Sequence, residues 1–319
     1  MLIYRPEGTN YAFELHFRKA GSGLRWKNIA LSHKLDSTCD YICCSTPDEL
    51  EREIRLYGNI FNYLLWCDEP VWLTIQNRNI REFSSYVEWY YGIRIKVLTH
   101  QNGGLDWSWK TFLTDEYIKE INYQTYSHRT KECIFIGAKR MEKCFANRSG
   151  DEVPLSLLRS KLALYGWHHN VCDVIGQGWN PPYSERKSCR EADNWPERKD
   201  QLLRDYMMNI CIENTMIKGY VTEKIWQSIN AGCLPIYYFG NIEEHPVELR
   251  CILKTLQSIC IDVTNKSYST VIELIQSISS NELQDRVASA KDVLVMAHMS
   301  RMSVYDIANA IVGQLNEVL

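Results

Sequence analysis

No Cys-x-x-Cys pair and no His-x-x-x-His or His-Glu-x-x-His spacing occurs anywhere in the 319 residues. Structural zinc sites use ligands at such spacings, so none is expected. There is no acidic triad to hold another metal, and no metal cofactor is expected either. A basic excess is also missing: 36 Lys and Arg stand against 39 Asp and Glu, a formal charge of −3. A protein that neutralises many phosphates carries the opposite balance, which excludes a nucleic-acid binder as a class. Because no run reaches eighteen apolar residues, no membrane-spanning helix is expected. Met1 to Arg18 alternates polar and apolar residues and carries Arg5, Glu7 and Glu14, unlike the apolar core of a signal peptide. Ser303 to Leu319 reads as a neutral-to-acidic helix, which allows at most peripheral membrane association. Internal repeats and low-complexity tracts are absent too.

The composition that remains, 45% hydrophobic and 24% charged, is that of a folded globular protein and excludes disorder. Most of the twelve cysteines lie in apolar runs such as Asn209-Ile210-Cys211-Ile212, where a free thiol acts as a small buried hydrophobe. Reduced thiols imply a cytoplasmic location. The length exceeds what one core supports, so two domains are expected.

The pattern along the chain alternates short β-rich runs with amphipathic stretches. Tyr11 to Phe17, Asn28 to Leu31, Phe61 to Trp66, Val71 to Ile75 and Ile93 to Leu98 read as strands. Thr46 and Pro47 mark a helix start, and Ile80 to Tyr91 a second helix. A second series begins near Cys133. Its strands are Cys133 to Ile136, Asn170 to Ile175, Met208 to Glu213, Leu234 to Phe239 and Ile259 to Val263. Between them lie helices at Pro154 to Tyr165, Glu197 to Tyr206 and Val221 to Ala231, with further helices to the end. Such alternation predicts parallel sheets, and two series predict an α/β protein of two doubly wound domains facing each other across a cleft. The expected division is residues 1–126, residues 127–301, and a carboxy-terminal helix at 302–319 that packs back on the first domain. Gln177 to Asp200, with three prolines and little periodicity, reads as a long loop of the kind that covers an active site.

The most informative string runs from Asn209 to Trp226. It is a buried strand ending in Glu213 and Asn214, a turn with Gly219, and a helix start at Val221-Thr222-Glu223-Lys224. Open α/β sheets bind ligands at the carboxyl ends of their strands. Helix-terminal N–H groups and the Lys224 charge would suit a phosphate there, while simple helix capping is the plainer use of Thr-Glu-Lys. Between Lys131 and Lys161 seven basic residues outnumber four acidic ones, which would suit a pyrophosphate site or a solvated face.

Three blocks in this region resemble the signature of the α-1,3/4-fucosyltransferase family, glycosyltransferase family 10. They are Ile212-Glu213-Asn214-Thr215, Tyr220-Val221-Thr222-Glu223-Lys224 and Gly232-Cys233-Leu234-Pro235-Ile236. Phe145-Ala146-Asn147, Arg159 in its Leu-rich helix, and Val174-Ile175-Gly176 are similar to the family's donor domain as well. The likeness covers roughly Cys133 to Gly240. Ile212 departs from the family's Phe, and Cys144 to Asn147 lacks its Val-Ser-Asn ending.

The resemblance implies a GT-B fold, with donor binding in the carboxy-terminal domain and acceptor binding in the amino-terminal one. It implies an inverting transfer of L-fucose from GDP-fucose to a glycan hydroxyl in α-1,3 or α-1,4 linkage, with no cofactor required. Lys224 and Arg159 match the family's phosphate-contacting residues, Glu223 its sugar- or ribose-contacting Glu, and Asn214 and Tyr220 its nucleotide pocket. Glu69, in Asp68-Glu69-Pro70 after an apolar strand, is similar to the family's general base, with Asp68 as substitute. Trp107 and Trp109 lie in a glycine-rich segment and are candidate acceptor platforms. Two alternatives stand beside this reading: a GT-B transferase for another nucleotide sugar, and a catalytically silent nucleotide-sugar or glycan-binding protein.

Overall fold

The computed structural model describes residues 1–6, 24–66, 72–73, 78–98, 110, 113, 118, 120–121, 129–143, 153–183 and 195–318. The chain forms two compact α/β units, Met1–Trp107 together with Met302–Leu319, and Ser108–Arg301.

The first unit holds a six-stranded sheet. Its strands are β1 (Leu2–Tyr4), β2 (Arg25–Trp26), β3 (Ile29–Ser32), β4 (Tyr41–Cys44), β5 (Asn62–Trp66) and β8 (Lys96–Leu98), in the order β2-β3-β1-β4-β5-β8. All neighbours run parallel except β2 against β3. A two-stranded antiparallel ribbon, β6 (Trp72–Leu73) with β7 (Arg78–Asn79), stands apart from it. Parallel strands are covered on both faces, and β5 shows why its sequence is apolar from Tyr63 onward. Leu64 and Trp66 join a core on one face, while Tyr63 and Leu65 join a core on the other.

Helices α1 (Pro47–Tyr57) and α2 (Ile80–Tyr91) supply that second core with Leu50, Ile54, Phe83 and Val87. The start of α1 follows directly from its sequence. The Thr46 side chain accepts the Glu49 N–H at 3.3 Å, Glu49 reaches back to the Ser45 N–H at 3.1 Å, and Pro47 occupies the first helical position.

The second unit is built on a five-stranded, wholly parallel sheet ordered β11-β9-β12-β14-β15. These strands are β9 (Lys131–Ile136), β11 (Cys172–Ile175), β12 (Tyr206–Ile210), β14 (Leu234–Tyr237) and β15 (Ile261–Asp262). A short antiparallel pair joins β10 (Val153–Pro154) to β13 (Thr215–Met216). The helices are α3 (Ser156–His168), α4 (Trp195–Leu203), α5 (Glu223–Asn230), α6 (Val247–Ile259), α7 (Tyr268–Ser277) and α8 (Ser280–Met299). The chain returns to the sequence-distant first unit with α9 (Val304–Val318), whose Ile307, Ile311 and Leu315 sit in the core with Ile3, Ile29 and Leu64.

Strand order locates the site. The crossover from β9 leads to β11 on one side, and the next strand, β12, lies on the other side of β9. That reversal is a topological switch point, and ligands of open α/β sheets bind at the carboxyl ends of the strands flanking it. Here those ends are Ile136-Gly137 and Ile210-Cys211.

Candidate functional site

Past the end of β12 the chain stays buried through Glu213, which is 2% exposed. A carboxylate so enclosed needs partners. One oxygen accepts the Thr222 N–H at 2.8 Å, and the other accepts the Thr222 hydroxyl at 2.7 Å and the Lys224 ammonium at 2.9 Å. Lys224 also donates to the Thr222 hydroxyl at 2.7 Å. Thr222 occupies the N-cap of α5 with an extended backbone, yet its side chain caps nothing. The plain capping use of Thr-Glu-Lys is therefore not the one observed. The hydroxyl is committed to the buried carboxylate and its lysine.

Glu223 and Lys224 open α5 and keep 16% and 20% of their side chains accessible, with 3.7 Å between carboxylate and ammonium. Behind them stands Lys199 of α4, 6% exposed, whose ammonium donates to the Gln227 side-chain oxygen at 2.8 Å. Burial pulls the Lys199 ammonium below its ordinary value, and Glu223 is the charge that most opposes this. Burial acts on Glu223 in the other sense, disfavouring its anion, but Lys224 and Lys199 together with local hydrogen bonds hold it below the usual carboxylate value. The Tyr237 phenol beneath them is pushed well up by burial and by Glu213. Each accessible charge thus has a buried opposite behind it.

The turn between β13 and α5 passes through Gly219 at φ 79°, in the left-handed region glycine tolerates. Its N–H donates to His245 Nδ1 at 3.1 Å. His245 is buried, which holds its imidazole below the ordinary value. Tyr220 follows and is itself buried.

Helix α3 is stitched to the segment after β12. The Asn214 carbonyl accepts the Leu155 N–H at 3.0 Å and the Ser156 hydroxyl at 3.1 Å, while β10 pairs with β13 alongside. One turn into α3, Arg159 is 5% exposed and donates to the Ile212 carbonyl at 3.2 Å. Arg159 and Lys224 therefore contact adjacent residues, Ile212 and Glu213, from two different helices.

The basic excess between Lys131 and Lys161 is not gathered in one place. Lys131 begins β9 and faces Asp173 at 3.7 Å, at the sheet end opposite the site. Arg140 follows β9 and donates to the Ser156 hydroxyl at 3.0 Å, and Lys139 lies 4.1 Å from the Tyr183 ring centre. Glycine allows the strands to close up here. Gly176 has φ 142°, and a Cβ built on it would lie 2.3 Å from the Gly137 carbonyl oxygen.

Glu69, Asp68, Trp107, Trp109 and the Phe145-Ala146-Asn147 block lie outside the described residues, as does the middle of Gln177 to Asp200. The carboxyl end of that loop is helical, since α4 starts at Trp195. Sequence reasoning missed Lys199 and His245. Lys199 had a signal: it precedes the fully buried Leu203 by four residues and so shares the inward face of its helix. Among the described residues no three His, Cys, Asp or Glu side chains gather as a metal site, and no helix is long and apolar enough to cross a membrane.

No family model matches the chain, and no curated protein matches it. Solved structures do. An alpha-glucosyltransferase (AGT) in complex with UDP aligns at TM-score 0.53 and 11% identity, over 97% of this chain and 99% of that one. The GT-B fold is thereby that of this chain. The Anabaena protein HepE with UDP-glucose aligns at TM-score 0.47 and 10% identity, over 99% of both chains. An alpha1,3-fucosyltransferase with GDP-fucose aligns at TM-score 0.44 and 13% identity, over 90% of this chain and 81% of that one.

Proposed function

We propose that this protein is an inverting glycosyltransferase that takes its sugar from a nucleoside-diphosphate sugar, with GDP-fucose as the donor and a glycan hydroxyl as the acceptor. The observation that supports it is the charge arrangement at the switch point, where Glu223 and Lys224 are accessible at the first turn of α5 and Arg159 reaches the same strand-end segment. A diphosphate leaving group gains negative charge as the sugar departs, and fixed cations beside helix-terminal N–H groups stabilise that charge. In this reading Lys224 and Arg159 hold the pyrophosphate, Glu223 accepts hydroxyls of the donor, and Asn214 and Tyr220 shape the nucleotide pocket. The fucosyl part of the reading rests on the sequence blocks, which resemble the α-1,3/4-fucosyltransferases.

The acceptor oxygen attacks the anomeric carbon, and the bond from that carbon to the phosphate oxygen breaks with its electron pair leaving on the nucleoside diphosphate. The hydroxyl proton goes to a general base, for which we assign Glu69, and Trp107 and Trp109 are assigned to the acceptor. The transfer forms an α-1,3 or α-1,4 linkage. The described cysteines are free thiols and eight of the nine are buried, which suits a reducing cytoplasmic compartment.

Isothermal calorimetry with GDP, UDP and ADP, followed by hydrolysis assays with GDP-fucose, GDP-mannose and UDP-glucose, tests the assignment. Tightest binding of GDP and fastest turnover of GDP-fucose are expected. Preference for UDP and UDP-glucose would instead establish the alternative donor. Tight nucleotide binding without turnover of any donor, with or without glycan acceptors, would mark a silent binding protein.

A further inference from the structure

We infer that Lys199 is a positioning residue for the donor site, holding the first turns of α5 and the Glu223 carboxylate in the geometry that receives the nucleotide sugar. The inference rests on the donor-site reading given above.

Lys199 stands where packing alone would place an apolar side chain. It shares a helix face with Leu203, which is 0% exposed, and is itself only 6% exposed. Burying an ammonium is costly unless hydrogen bonds and opposite charge compensate it. Both are present. Its Nζ donates to Gln227 at 2.8 Å, and Gln227 follows Glu223 by four residues, so the two share one face of α5. Glu223 is also the charge acting most strongly on Lys199. The ammonium thereby holds α5 one turn in, on the helix face that Glu223 shares.

Among the described residues, several charged groups surround Glu223. Lys199 comes from α4, Lys224 from α5 itself and Glu213 from the end of β12, while Tyr237 on β14 faces Glu213 with its phenol held neutral. Arg159 of α3 stands next to this group, on the Ile212 carbonyl. Removing Lys199 takes away one of the two cations that favour the Glu223 anion, so burial then draws Glu223 toward its protonated form.

Nucleotide affinity measured by calorimetry at pH 7.5 and pH 5.5 tests this, using the full chain with GDP and UDP as probes. Lys199→Met should weaken binding relative to wild type, and that ratio should widen at least fivefold at the lower pH. Taking the ratio cancels the titration of the nucleotide's own phosphate. In the double variant Lys199→Met/Glu223→Gln the pH difference should vanish. Gln227→Glu keeps the lysine but gives it a competing carboxylate, and should reproduce the widening if Lys199→Met does not fold. A ratio that stays flat with pH in whichever variant folds, with wild type binding normally, overturns the inference alone. Wild-type protein that binds neither nucleotide overturns the donor-site reading, and this inference with it.

Discussion

The Lys224 ammonium lies 2.9 Å from a Glu213 carboxylate that is almost wholly enclosed, so the lysine is oriented before any ligand arrives. Preorganised charge of this kind needs no rearrangement during the reaction. It also links stability to binding at one residue, and the two can be separated.

Lys224→Ala should cost about 3 kcal/mol of stability, because removing one partner leaves the other charge buried alone. Adding Glu213→Gln should recover most of that loss but none of the nucleotide affinity. Urea unfolding and calorimetry on the single and double variants measure the two effects. Recovery of binding along with stability would assign Lys224 a purely structural part.

Arg159→Ala should weaken nucleotide binding by about 1.5–3 kcal/mol, the range of a charge-assisted hydrogen bond. Calorimetry with GDP reads this directly, since about 1.4 kcal/mol is tenfold in affinity. An affinity within twofold of wild type, in a folded variant, would remove Arg159 from the pyrophosphate site.

Glu69→Gln should bind nucleotide as wild type does and lose acceptor-dependent transfer by roughly two to four orders of magnitude, as loss of a general base does. Donor turnover with a glycan acceptor is the measurement. Near-normal transfer would move the proton to another group, Asp68 first.

Acid should destabilise the fold through His245 before the carboxylates titrate. Its pKa is held below the ordinary 6.5 by burial, so between that value and the folded one the unfolded chain binds the extra proton. Stability is unaffected by this group above pH 6.5 and falls as pH drops through the window. Thermal midpoints at pH 7.0 and 5.5 should therefore differ more in wild type than in His245→Gln. Glu223, held below its ordinary 4.5, adds its own loss only at lower pH.

Gly176→Ala should destabilise by about 2 kcal/mol or more, since the new methyl meets a backbone carbonyl at a φ that L-residues rarely adopt. A denaturation midpoint like that of wild type would mean β9 and β11 can part at little cost.

Some elements were legible in the sequence to within a residue or two, but the strand read as Met208 to Glu213 is Tyr206–Ile210, and the helix read as Glu197 to Tyr206 is Trp195–Leu203. Ile80–Tyr91 is bounded as its apolar spacing predicts, and Thr46-Pro47 marks a real helix start. The strands of the second unit are legible because burial on both faces makes their central residues apolar, as in residues 133–136 and Leu234–Tyr237. Tyr41–Cys44, beside β1 and β5, is apolar and buried on both faces as well, but at four residues it is too short for a period to register. Pro196 reads as a loop breaker, yet it stands at the second residue of α4, where a missing N–H costs nothing. At the site, the sequence places Glu213 and Lys224 at a strand end and a helix start. Their pairing across eleven residues is a property of the Gly219 turn, and Lys199 enters from an element no local pattern connects to α5.

The position of α9 has a consequence for synthesis. The sheet face formed by Ile3, Ile29, Leu31, Leu64 and Leu98 is covered by a helix that leaves the ribosome about 200 residues after Leu98. At about 5–20 residues per second, that face waits roughly 10–40 s for its cover. During that interval the nascent chain carries an open apolar surface of the kind that makes chains aggregation-prone. A message truncated before Val304 would leave that surface open for good.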